Sequence, residues 1–149
     1  METMKKLFRK IFPSKQMRRY RKMHRRHRKE LIKLAKETHE YDWGWLHQMV
    51  MLQIKQMYEY YSTGDNVWQT DETRLPIIKE LKYVLDTYAE IDRLENDHLG
   101  LEWIMEDGNI KFIHPEGYME KHKEKEDRIT ELYEEIYSSI GKNLRNWWD

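Results

Sequence analysis

At 149 residues, with 36% charged side chains and only 6 Gly and 3 Pro, the chain has room for one domain with its own core, and its composition favours long helices over a turn-rich β architecture. Cysteine is absent, which excludes a disulfide framework and thiolate chemistry, and the longest apolar runs are too short to span a membrane. The formal net charge of zero hides an asymmetry: residues 1–36 hold 15 Lys and Arg against Glu2 and Glu30, a balance of +13, and the remaining residues carry −13.

Such a split bears on partners and not on fold: either the basic arm meets an external polyanion, or it folds back and neutralises the acidic body. In chain order, METMKKLFRKIF forms a short cationic amphipathic piece in which Leu7, Phe8, Ile11 and Phe12 share a side. A secretory leader is not expected, because Arg9 and Lys10 break the apolar stretch after Lys5-Lys6. Pro13 disfavours helix at Phe12 and leaves Ser14 as an N-cap. Residues 1–14 are therefore expected to be a flexible cationic segment, and residues 15–149 a single helical domain with a basic first helix.

From Lys15 to Glu37 the spacing predicts a helix with Met17, Tyr20, Met23 or His24, His27, Leu31 and Leu34 on a narrow stripe. That stripe is thin at its start, so the C-terminal half is expected to dock and the N-terminal half to project. Tyr41 to Tyr61 is dense enough in large apolar side chains to seed the core. Trp43, Leu46, Val50, Ile54, Met57 and Tyr61 recur at helical steps, and Trp45, Met49 and Leu52 widen the stripe. Asp42 is the expected cap, and Ser62-Thr63-Gly64 the stop. After a polar loop containing Trp68, a third helix runs from Asp71 to Asn96, with Pro76 in its first turn.

Helical period fails between Asp97 and Gly117. There Trp103, Met105, Ile110 and Phe112 alternate around Glu106-Asp107-Gly108-Asn109, which reads as a β-hairpin or a packed loop, with Asp-Gly as the turn signal. A last helix, Tyr118 to Trp147, points Ile129, Leu132, Ile136, Ile140, Leu144 and Trp147 inward. The fold class is thus all-α, a four-helix bundle-like domain with a small irregular or hairpin insertion before the last helix. Leu46, Val50, Ile54, Leu81, Leu85, Leu132, Ile136 and Ile140 are expected to pack together, so that Val50→Asp would unfold the protein.

Arg18, Arg19, Arg21, Lys22, Arg25, Arg26, Arg28 and Lys29 are the candidate anion-binding residues. Guanidinium forks suit phosphate, and contacts to a polymer release counterions, giving salt-dependent affinity with little sequence readout. A solvated helix neutralised by the acidic body is the alternative, and membrane attachment through Met1 to Phe12 is another. Glu95-Asn96-Asp97-His98 matches the Glu-x-x-His spacing of di-iron helices but lacks a second copy, so no metal and no cofactor is expected. His47 reads as a core histidine. Asp86, Glu90 and Asp97, like Glu131, Glu134 and Glu135, lie opposite the apolar stripes and read as solvated faces, not Mg²⁺ sites. With no phosphate-cradling Gly loop and no nucleophile elbow, catalysis is not expected. Trp43, Trp45 and Trp148 are candidates for stacking on a base, or for covering helix ends.

At Tyr41-Asp42-Trp43-Gly44-Trp45-Leu46, followed by a Met-rich helix, and at the closing Asn146-Trp147-Trp148-Asp149, the sequence resembles a group of uncharacterised small tailed-bacteriophage proteins with an Asp-Trp helix start and a Trp-Asp terminus. The resemblance covers most of residues 39–149. It implies an accessory protein of the infected bacterial cytoplasm that acts by binding. The expected partner is a polyanion (DNA, RNA or a nucleotide) held by the basic helix. The alternatives are an inhibitor binding a bacterial host protein, a nucleotide-signal sponge acting against bacterial defence, and a peripheral membrane-binding protein.

Overall fold

The computed structural model describes residues 15–37, 43–63 and 70–148, leaving aside the side chains of Trp43 and Trp148. The chain is all-α apart from one hairpin, with the order α1 (Lys15–Glu37), α2 (Trp43–Ser62), α3 (Asp71–Glu95), β1 (Glu102–Glu106), β2 (Asn109–Ile113) and α4 (Tyr118–Trp148). The helical periods in the sequence place these boundaries to within two residues. None of the helices among the described residues is long and apolar enough to cross a membrane. The expected segment at residues 1–14, the Asp42 cap, Gly64 and Trp68 lie outside the described residues.

The chain divides into two compact units, Met1–Lys82 and Tyr83–Asp149. In the first, α1 and α2 run antiparallel. Residues early in α1 meet residues late in α2, as Tyr20 does with Tyr60 in an edge-on ring contact of 5.9 Å, and Glu30 meets the earlier Gln56. Met51, Ile54, Met57 and Tyr61 of α2 are buried, together with His47 and Gln56. Leu46, expected in the core, is 51% exposed, and Val50 is only half-buried. Ile54, Met57 and Tyr61 are thus buried as expected, while in the N-terminal half of α2 the buried positions are His47 and Met51, one residue on from the expected Leu46 and Val50. A helix apolar around most of its circumference carries little information about which side faces inward, so its neighbours decide.

Thr70 caps α3, its carbonyl accepting from the Thr73 and Arg74 amides at 3.2 and 3.0 Å. Pro76 stands in the second turn, not in the first as expected. The helix starts at Asp71, so the missing N–H falls opposite the Glu72 carbonyl. Both residues are exposed, and water can take the carbonyl that loses its partner. Arg74 closes this end by donating to the Tyr61 carbonyl at 3.2 Å and pairing with Asp71 at 2.7 Å.

In the second unit the C-terminal part of α3 and α4 are antiparallel. Tyr83 donates to Glu135 at 2.8 Å, and Tyr133 donates to Glu95 at 3.1 Å. Burial, with the Glu95 carboxylate beside it, pushes Tyr133 up to about 12. Val84, Ile91, Ile129, Leu132, Ile136 and Trp147 are buried; Leu85 and Ile140, expected with them, are half-buried, and Leu144 is 45% exposed. The hairpin forms in the register the alternation implies, with Trp103 opposite Phe112 and Met105 opposite Ile110. Asp107 and Gly108 both have positive φ, 51° and 78°, as a two-residue type I′ turn requires.

These burials rank the core. Ile136→Ala should cost about 2–5 kcal/mol, whereas Leu46→Ala should shift stability by about 0.5 kcal/mol or less. Urea unfolding followed by circular dichroism gives both values, and equal losses would contradict the assignment.

Candidate anion-binding groove

Arg18, Lys22, Arg25 and Lys29 follow one another at steps of four, three and four residues, which on a helix places them in one line about 16 Å long at 1.5 Å per residue. The structure turns that line into the wall of an open groove of about 940 Å³, to which Arg19, Arg21, Met23 and Arg26 also contribute. Glu59 and Thr63, at the C-terminal end of α2, form the other side. Seven of the eight candidate anion-binding residues are thus brought together, and Arg28 is not among those lining the groove.

The groove exists because α1 is tied along one side to α2 by polar contacts. Glu59 is the centre of the tie: it pairs with Arg26, and His27 Nε2 lies 3.0 Å from its other oxygen. One turn earlier, Gln56 donates to the His27 carbonyl at 3.1 Å and to the Glu30 carboxylate at 3.2 Å. Arg26 also reaches Glu30 at 3.5 Å. Docking therefore extends from Tyr20 to Glu30, further toward the N-terminus of α1 than its thin apolar stripe suggests, since polar and aromatic contacts do the holding. Burial alone would push the Glu59 carboxyl up, but the hydrogen bonds and charges of Arg26 and His27 outweigh it and hold the carboxyl below its ordinary value.

Arg26 is thus engaged, whereas the side chains of Arg18, Arg21, Lys22, Arg25, Arg28 and Lys29 make no ion pair or hydrogen bond with any of the described residues. This differs from what happens to charge in the second unit. There Arg128 gathers Glu131 at 3.1 Å, Glu135 at 3.5 Å and Glu90 at 3.7 Å, so acids read as solvated faces share a cation on a half-exposed surface. Glu95, of the Glu-x-x-His spacing, accepts from Tyr133, and among the described residues no group of three or more His, Asp or Glu side chains is placed to hold a metal ion.

Of the candidate stacking residues, Trp45 is half-buried on α2 and does not line the groove. The side chains of Trp43 and Trp148 lie outside the described residues. Sequence reasoning missed Glu59 and Gln56. The signal was present, because Glu59 is the only acid in α2, and a lone carboxylate on so apolar a helix calls for a partner. No protein-family model, curated protein or solved structure matches the chain.

Because the folded Glu59 carboxyl titrates below its unfolded value, its contribution is fully present above about pH 4.3 and is lost as the pH falls through the folded value. Glu59→Gln should lower the thermal midpoint at neutral pH by the equivalent of about 1 kcal/mol or less, the site being partly exposed and screened. The gap between variant and wild type should close as the pH drops below about 4. A gap that persists in acid would mean that Glu59 does not act through its charge.

Proposed function

We propose that this is a non-enzymatic accessory binding protein that holds nucleic acid through the α1 groove. The observation that carries the reading is the set of cations, Arg18, Arg21, Lys22, Arg25 and Lys29, that share one groove without partners among the described residues. Had the basic arm served to neutralise the protein's own acids, those side chains would be paired as Arg128 is. An array about 16 Å long spans several backbone phosphates, and a polymer engages all its members at once where a mononucleotide reaches one or two.

The lining favours backbone contact over base recognition. Among the described residues it contains no aromatic side chain, and stacking is what single-strand and nucleotide sites rely on. Binding without turnover fits the same lining. The one carboxylate among the described lining residues, Glu59, is already committed to Arg26 and His27, so no free base among them stands beside a bound phosphate. On this reading the protein works in the cytoplasm of an infected bacterium, as the resemblance to small tailed-bacteriophage proteins implies.

Filter binding of a duplex of mixed sequence at two salt concentrations tests this. Affinity should fall with a log-log slope near −0.9 for each phosphate neutralised, with little dependence on base sequence. Replacing Arg18, Lys22, Arg25 and Lys29 together by Gln should reduce the magnitude of that slope by about 3–4. The helix should survive the change, since none of its residues is buried. Salt-insensitive binding, or undiminished binding by the variant, would overturn the proposal. Attachment to anionic vesicles in place of DNA or RNA would move the partner to a membrane.

A further inference from the structure

The hairpin shows a second surface, independent of the groove. Every residue of both strands is exposed. Strand alternation puts Trp103, Met105, Ile110 and Phe112 on one side, as two cross-strand pairs. Their exposures are 64%, 65%, 60% and 56%, and that side carries no polar side chain. The opposite side carries the charge, including the Lys111–Glu106 pair at 3.2 Å. A two-stranded hairpin gains little stability in water unless its apolar face is covered. A contiguous apolar face of this kind is the mark of an interaction surface.

We infer that this face binds the same face of a second copy, giving a two-fold symmetric dimer in which two hairpins stack as a small sandwich. Three points favour a second copy. The face has no charge for a partner of opposite sign to read, and like meets like without one. Homodimer interfaces are the more apolar class, and two-fold pairing is the commonest symmetry. The area sets the strength. Aromatic side chains present roughly 150–250 Å² each, so Trp103 and Phe112 with the smaller Met105 and Ile110, each exposed by more than half, would remove at most on the order of 400–500 Å² per copy. The total, on the order of 800–1,000 Å², lies at the lower limit for a specific interface, which implies a weak dimer in equilibrium with monomer.

The test uses the full chain in sedimentation velocity, over about 1 µM to 1 mM. Mass should rise from monomer to dimer with concentration. Trp103→Lys with Met105→Lys should remain monomeric with an unchanged helical circular dichroism spectrum, as expected for substitutions at exposed positions. The absence of cysteine permits a second measurement specific to the face. Met105→Cys should form an intermolecular disulfide on mild oxidation, while Lys111→Cys, on the opposite side, should not. A wild-type monomer throughout the range, a dimer unaffected by the double variant, or equal cross-linking from both cysteines would each overturn the inference.

Discussion

The candidate site depends on one carboxylate. α1 contributes no buried residue, and only Met23, Leu31 and Leu34 among its large apolar side chains reach half-burial, so hydrophobic burial holds α1 less than it holds α2, α3 and α4 in their units. What fixes it is Glu59, shared between Arg26 and His27, with Gln56 bonded to the His27 backbone and to Glu30. These contacts select which flank of a helix charged nearly all round faces α2. That choice decides which cations line the groove and leaves Arg28 out of it. Their individual worth is modest, because the partners are partly exposed. A long helix is thereby kept in register by contacts that change little in net stability and much in orientation.

Elements whose signal is local were legible in the sequence. The four helical periods placed the helices, and Asp107-Gly108 between alternating residues pointed to a hairpin or a packed loop; the structure shows the hairpin, and a two-residue turn then permits only one alignment of the strands. Facing was legible where a helix is amphipathic, as in α4, whose Leu132 and Ile136 are buried as expected. In α2 it was legible only in the C-terminal half, where Ile54, Met57 and Tyr61 are buried as expected, and not in the N-terminal half, where Leu46 is exposed and Met51 is buried. The candidate cations were named from charge density alone. Their division into engaged Arg26 and Arg18, Lys22 and Arg25, whose side chains have no partner among the described residues, depends on where Glu59 comes to lie, which a one-dimensional pattern does not encode.

The two units handle charge in opposite ways. In the second, Arg128 stands among Glu90, Glu131 and Glu135, and the hydroxyls of Tyr83 and Tyr133 donate to Glu135 and Glu95. Carboxylates there repel one another less because a cation and hydrogen-bond donors sit between them. In the first, the acids near α1 reach Arg26 and His27 and leave most of the cationic row unanswered. A chain of zero net charge therefore presents a strongly cationic face, which is a statement about placement that no composition carries.

That row also acts on the helix that bears it. Arg18 and Lys22, Arg21 and Arg25, Lys22 and Arg26, and Arg25 and Lys29 are like charges one turn apart, and each such pair strains an isolated helix by a few tenths of a kcal/mol. Added salt screens that repulsion and firms the helix, while under the proposed function the same salt would weaken its hold on a phosphate chain. Ionic strength would then pull the two properties in opposite directions. A polyanion in the groove would do locally what salt does in bulk, so that ligand and helical order would reinforce each other by thermodynamic reciprocity, with α1 at its most rigid when occupied.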